Sequence, residues 1–239
     1  MGTYYNPRIV TDGLIFSLDA INQKNYPGSG TEWKDTSGNG NNFYLRNTPT
    51  FQTTHFSTNG ANQHFSTTST ANNFAWTPNG VIGNSSITID MWVRSSDTVG
   101  RFFTKPWNGS GQYNIWIFPD SFYLATGSLS NSISFGRNIS NGTWTNIVCW
   151  ADGLNMGYYL NGISFSGQKA HGLSGDVPSV GNGNLPCGLM TLYPYGDGWG
   201  GDTTHAILGD ISVCRMYRKI LTPQEVLNNF NAIRGRYGI

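Results

Sequence analysis

Charge is scarce in this sequence. Asp, Glu, Lys and Arg make up 11% of the 239 residues, the formal net charge is +1, and only two glutamates, Glu32 and Glu225, occur. No block of Lys or Arg exists to draw a polyanion, so nucleic acid and anionic membranes are not expected partners. Cysteine is equally sparse. Cys149, Cys187 and Cys214 show no C-x-x-C spacing, so neither a disulfide scaffold nor a metal held by sulfur is expected. Cys149 and Cys214 fall within strand patterns, where a thiol behaves as a small hydrophobe. No apolar run approaches the roughly 20 residues of a membrane span. The opening M-G-T-Y-Y-N-P-R lacks the apolar stretch of a signal peptide, so synthesis without export is expected. Catalytic signatures are missing too. There is no G-x-S-x-G, H-E-x-x-H or P-loop, and His55, His64, His171 and His205 are scattered without ligand spacing.

What the chain has instead is glycine, with 31 residues, and aromatic side chains, at 14%. Disorder would need more charge and fewer rings, so this composition describes a turn-rich β protein. A chain of this length can bury one core, and no boundary divides it. Residues 1–12 are expected as an extended N-terminal arm, and 13–239 as a single domain. Strand patterns cover 13–20, 43–46, 63–67, 86–94, 101–104, 113–118, 121–126, 133–136, 144–151, 156–160 and 163–166. Their spacing is that of a sandwich or barrel.

The last 31 residues organise the rest. Residues 210–217 alternate as a strand, with Ile211, Val213 and Tyr217 on one face and Cys214 and Met216 on the other, so both faces need cover. A helix follows. Thr222 is placed to cap it, Pro223 suits its first position, and Glu225 completes an S/T-x-x-E box. Val226, Leu227, Phe230 and Ile233 form its apolar stripe, and Gly235 is a natural stop. The stripe can be buried only against the body that the preceding strand has joined.

Five landmarks together resemble a known family. G-L-I-F-S-L-D-A, W-K-D-T-S-G-N-G-N-N, S-I-T-I-D-M-W-V-R, W-T-N-I-V-C-W-A-D-G…Y-Y-L-N-G and G-D-I-S-V-C-R-M-Y-R-K-I-L-T-P-Q-E-V follow the order of a laminin-G-like, concanavalin-type jelly roll, over residues 13–233. The resemblance implies an all-β, two-sheet antiparallel sandwich with one short C-terminal helix. Y-P-G-S-G-T followed by D-T-S-G-N-G-N-N is similar to domains of tailed-bacteriophage structural proteins. That second resemblance implies a virion protein folded in a reducing bacterial cytoplasm.

Fold does not give function, so each site is weighed by its residues. Hydrolases of this fold need two carboxylates facing one bond. Here Glu225 belongs to the capping box, Glu32 lies in a Gly-rich loop, and the strand 86–94 offers Asp90 alone, so no enzyme is expected. A loop calcium is implied by the family. Asp35, Ser37 and Asn39 alternate as in the start of an EF-hand, but Arg46 stands where a bidentate Glu is required. The same spacing also makes an Asx turn, and both readings stay open. In F-S-T-N-G-A-N-Q-H-F, read as the loop where relatives often place Asp, Asn59 and Asn62 lack the charge that calcium affinity needs.

Glycan is the other candidate ligand. Tyr193, Tyr195, Asp197, Trp199 and Asp202, with His205, lie on the Gly-rich stretch 192–205, where rings can stack on sugars and carboxylates can bond hydroxyls. Structural use of the same residues, with Trp199 plugging a sandwich edge, is the alternative. Trp92, Trp116 and Tyr159 make a second platform unless a crossing segment covers them. For docking to a partner the candidates are Tyr4, Tyr5 and Ile9 in the arm. Arg234 and Arg236 join them in a C-terminal cluster with Arg215, Arg218 and Lys219. The cluster reads otherwise as solvated charge. The expectation is a non-enzymatic virion surface protein, a capsid decoration or fibre component, assembled with other virion proteins as homo-oligomers or arrays and touching host-surface glycan. A free lectin module is the second reading, and a polysaccharide hydrolase or lyase the third.

Overall fold

The computed structural model describes residues 7–67, 86–105, 113–126, 129–136, 138–152, 154–164, 169–170, 187–191 and 206–239. The first half of the chain forms β1 (Leu14–Asp19), β2 (Glu32–Trp33), β3 (Phe43–Arg46), β4 (Thr50–Phe51), β5 (Phe56–Asn59), β6 (His64–Ser66), β7 (Ile87–Ser95) and β8 (Phe103–Lys105). Next come β9 (Tyr113–Ile117), β10 (Ser121–Thr126), β11 (Leu129–Ser134), β12 (Thr145–Ala151), β13 (Asn155–Leu160) and β14 (Ile163–Ser164). The chain closes with β15 (Lys169–Ala170), β16 (Gly188–Leu189), β17 (Leu208–Tyr217), the helix α1 (Pro223–Ile233) and a 3-10 turn, Arg234–Tyr237.

Two antiparallel sheets face each other. The first runs β14-β13-β12-β7-β17-β5-β4, with β1 also on β17 and β15 on β13. The second runs β11-β10-β9-β8-β16-β6-β3-β2. The expected jelly-roll sandwich with one short C-terminal helix is therefore what the chain forms. Side chains alternate across each strand. Ile89, Met91 and Cys149 from the first sheet thus meet Phe103, Ile115, Ile117, Phe122 and Leu124 from the second in one core. At the β2–β6 end that core is aromatic, with the Trp33 and Phe56 ring centroids 4.9 Å apart and those of Phe56 and Phe65 5.0 Å apart. All three cysteines are buried free thiols.

β17 is the pivot of the first sheet. One edge pairs with β7; the other gives its first half to β5 and its second half to β1. The register shifts between Ile211 and Val213, a bulge that turns the alternation over. Ile211 therefore joins Cys214 and Met216 in the inter-sheet core, while Val213 and Tyr217 face the helix. This corrects the grouping that strict alternation predicts for Ile211.

α1 begins as its sequence dictates. Thr222 Oγ1 accepts from the Glu225 amide at 3.2 Å, and Glu225 accepts in return from the Thr222 amide at 2.9 Å. Its buried face differs from the predicted stripe: Leu227 is 39% exposed, and Asn229 is buried in its place. The chain also runs through Gly235 in the 3-10 turn, stopping at Gly238 with φ 74°. Val226 packs with Val148, Tyr159 and Tyr217, and Phe230 with Ile233 packs on Trp92 and Val213, covering the outer face of the first sheet. The β13–β14 turn seats this helix. Gly162 (φ +74°) lies where a Cβ would stand 2.9 Å from the Phe230 ring, which explains Asn-Gly in Y-Y-L-N-G.

Two segments read as loop or arm are structured differently. F-S-T-N is strand β5, and the turn after it is closed by Asn59 itself, whose Oδ1 accepts from the amides of Ala61, Asn62 and Gln63. In the N-terminal segment Ile9 and Val10 pack on the clusters beneath α1, and the Val10 amide donates to Asn229 Oδ1 at 2.9 Å.

Candidate functional site

The Asp35 loop is held by its own backbone. Asp35 Oδ1 accepts from the amides of Ser17 and Ser37, and Oδ2 accepts from Ser37 Oγ at 2.7 Å and the Asn41 amide at 3.0 Å. Asn39 turns its amide nitrogen onto the Leu14 and Ile15 carbonyls. These contacts form an Asx turn that fastens the loop to β1. Among the described residues, no three of His, Cys, Asp and Glu come together to hold a metal ion.

Asp90 is wholly buried rather than open to a substrate. Its carboxylate accepts from Asn146 Nδ2 at 2.7 Å and Asn229 Nδ2 at 3.1 Å, and Arg215 Nη1 lies 3.4 Å away. Arg215 thus leaves the expected solvated cluster. The rest of that cluster is engaged as well: Lys219 pairs with Asp12 and Glu225, and Arg236 with Asp19 at 2.7 Å. Arg234 lies over the Phe230 ring at 5.8 Å. Ile9 is used within the chain, and Tyr4 and Tyr5 lie outside the described residues.

The three rings expected as a second platform separate. Trp92 is fully buried, sandwiched by Phe230 at 5.6 Å and Tyr237 at 4.0 Å, and Tyr159 is buried against Val226. For these two the covering segment is the C-terminal helix with its 3-10 turn. Trp116 is different. It lies on the outer face of the second sheet, half-buried, paired across strands with Tyr123. The two rings stack at 4.9 Å and 22°. The Arg101 guanidinium sits 5.0 Å from the Trp116 ring centre and 4.4 Å from that of Phe118, which meets Trp116 edge-on. The Trp116 indole N–H is buried and has no hydrogen-bond partner among the described residues.

This cluster ends a lateral row. Strand register aligns Glu32, Tyr44, Ser66, Gly188, Thr104, Trp116, Tyr123 and Ser132 across all eight strands of the second sheet. Small residues occupy its middle, and Tyr44 with Arg46, 5.6 Å apart, stands at the far side. Four inter-strand steps separate Tyr44 from Trp116, about 19 Å. Ser66, Gly188 and Thr104 between the two aromatic ends are buried, so the ends stand as separate contacts. The predicted residues Tyr193, Tyr195, Asp197, Trp199, Asp202 and His205 lie outside the described residues. The Thr191 carbonyl accepts from Thr104 Oγ1 at 2.7 Å. Trp116 was legible as an outward ring; Tyr123 and Arg101 were missed because only strand register brings them to it.

Comparison with known proteins agrees with this architecture. The family model described as the concanavalin A-like lectin/glucanases superfamily matches residues 69–227. No curated protein sequence matches the chain. Among solved structures it is similar to domain 4 of an extracellular arabinanase from Geobacillus stearothermophilus, in complex with arabinotriose. That match has 17% identity and a TM-score of 0.60, covering 90% of this chain and 97% of that one. The binding domain of botulinum neurotoxin DC in complex with SialylT matches at 18% and 0.62, covering 93% of this chain and 52% of that one. Botulinum neurotoxin type C, whose cell entry depends on interaction with two ganglioside molecules, matches at 18% and 0.63, covering 94% and 52%. The chain thus spans about half the length of these neurotoxin chains.

Proposed function

The chain belongs to the concanavalin A-like lectin/glucanase superfamily, and on that premise we propose that it is a non-catalytic, glycan-binding protein acting at a virion surface. The observation that carries glycan binding is the stacked Trp116–Tyr123 pair with Arg101 at the end of the second sheet's outer row. A flat ring pair offers area to the C–H face of a sugar at little entropic cost, with the Arg101 guanidinium beside it. Tyr193, Tyr195, Asp197, Trp199 and Asp202, which lie outside the described residues, are further glycan candidates by residue type alone. Complexes of similarly folded domains with arabinotriose, and a neurotoxin's dependence on gangliosides, support a saccharide as the ligand class.

The non-catalytic reading is supported by how the carboxylates are used. Asp90 is buried in an ion pair, Glu225 caps α1, Glu32 accepts from Asn42 at 2.7 Å, and Asp210 pairs with Arg94 at 2.6 Å. Retaining or inverting hydrolysis needs two such groups facing an open cleft. The virion setting rests on the resemblance of the 26–42 region to phage structural domains. Many copies per particle would strengthen a weak single-site affinity.

A glycan array followed by titration calorimetry tests the site. The wild-type chain binds at least one oligosaccharide class, and Trp116→Ala weakens it about tenfold, the scale of one lost ring contact with its buried area. Unchanged affinity in that variant moves the site elsewhere. Reducing ends released from any bound polysaccharide overturn the non-catalytic reading. Mass spectrometry of purified particles tests the setting, and absence of the protein from them removes the virion role alone.

A further inference from the structure

The aromatic stack has a closed side and an open one. Arg101 lies over the Trp116 ring at 5.0 Å, and Tyr123 stacks on that ring at 4.9 Å. Two groups so close to one ring centre occupy opposite faces. Strand order agrees, because Arg101 precedes β8 and Tyr123 belongs to β10, on either side of β9. Both faces of Trp116 are therefore taken. A ligand that stacks here meets Tyr123, half-buried, on the face turned toward β11.

Small residues border that face. Register sets Ser132 opposite Tyr123 and Ser134 opposite Ser121. Ile133 between the two serines is buried in the core, so both serines turn outward with Tyr123. Neither is long enough to fill the space beside the ring, and each carries a hydroxyl that donates and accepts. A cation stands beyond them. Lys169 belongs to β15, on the first sheet, yet its Nζ donates to the Ser132 carbonyl at 2.7 Å, across the edge of the sandwich. Among the described residues no carboxylate pairs with this exposed ammonium. The carboxylates at the adjoining turns are committed: Asp120 accepts from Ser121 Oγ at 2.8 Å, and Asp152 from the amides of Leu154 and Asn155. One bond to a neutral carbonyl leaves the ammonium with donors and a charge to spare.

We propose that the glycan taken at this end of the sheet is acidic, with one sugar stacked on Tyr123 over Ser132 and its carboxylate paired with Lys169. This rests on the saccharide-binding reading above and narrows it to sugars that carry a carboxylate, uronic or sialic acids. Tyr123 supplies the apolar contact, the serines meet hydroxyls, and Lys169 sets the preference for charge. A neutral sugar makes the first two contacts and lacks the third.

The test is NMR titration of the full chain, following the Tyr123 ring and Trp116 indole signals. The probes are methyl glucoside, methyl glucuronide and a methyl sialoside, and the two acids tell a uronate from a sialate. At least one acid binds about three- to fivefold more tightly than the glucoside at low salt, the scale of one exposed ion pair. Added salt removes that advantage. Lys169→Gln brings the acids level with the glucoside at an unchanged melting temperature. Equal binding of the three probes by the wild-type chain, or a preference that survives in Lys169→Gln, overturns the acidic ligand and leaves the saccharide reading standing. No response of the Tyr123 signal to any probe overturns it too, and the glycan array then decides whether the saccharide reading falls with it.

Discussion

The least replaceable single residues lie in the polar network beneath α1. Asp90 accepts from Asn146 and Asn229 and faces Arg215, while Asn229 also donates to the Tyr217 hydroxyl at 3.0 Å and accepts from Val10. Removing one partner of a buried ion pair strands the other charge, which costs about 3–5 kcal/mol, more than the pair itself contributes. Asp90→Asn is expected to lose stability on that scale in chemical denaturation, and Arg215→Met in the same chain to recover much of it. An Asp90→Asn protein of unchanged stability would show the pair to be dispensable. His55 provides a second residue-scale prediction. Its pKa is lowered in the fold, so above the ordinary value of 6.5 both folded and unfolded chains are neutral there, and below it the unfolded chain takes the proton first. Stability therefore falls as pH drops through about 6.5. The NMR midpoint of His55 should lie below that value, and the fall in melting temperature between pH 7 and 5 should shrink in His55→Gln.

At the scale of elements, the C-terminal helix holds the outer face of the first sheet. Phe230 stacks on Trp92 and rests on Gly162, so Phe230→Ala is expected to cost about 3–5 kcal/mol and Thr222→Ala, which removes the cap, about 1 kcal/mol. Matched urea melts of the two variants check both values, and a Phe230→Ala loss no larger than that of Thr222→Ala would mean the ring is not seated. What was legible in sequence at this scale was local. Thr222, Pro223 and Glu225 signal the helix start within four residues, and the single strand in S-I-T-I-D-M-W-V-R shows its alternation directly. What was illegible depends on distant partners. Asn229 interrupts the apolar stripe because Asp90, 139 positions away, needs a donor. The bulge at Ser212 exists because β17 changes neighbours from β5 to β1 there, which no period in its own sequence reveals. β5 and β16 escape the sequence because strands as short as these are defined by the ladders they complete. The same limit applies to the candidate site: Trp116 stood out, whereas its companions Tyr123 and Arg101 are assembled by register.

For the whole molecule, the N-terminal segment decides between two roles. As a tether to a particle it would contribute nothing to the isolated fold. Yet Ile9 packs with Trp92, Val213, Phe230 and Ile233, Val10 packs with the Val148–Tyr217 cluster, and the Val10 amide closes the network through Asn229. Asp12 adds an ion pair to Lys219 at 2.8 Å, but it is solvent-exposed and contributes little. Half-burial of one Ile and one Val side chain corresponds to about 2–3 kcal/mol, and a truncated chain would also leave Asn229 Oδ1 without its donor. The two roles can be separated by where the cut falls. Deletion of residues 2–6 removes Tyr4 and Tyr5 while sparing Ile9 and Val10, so it is expected to leave the melting temperature unchanged. The proposed tether then predicts lower incorporation into particles for this variant alone. Deletion of residues 2–10 is expected to lower the melting temperature of the isolated chain, whatever happens in particles. Equal melting temperatures for both deletions and wild type would show that the segment is not part of the fold. Unchanged incorporation of the 2–6 deletion would end the tether while leaving the glycan-binding face intact.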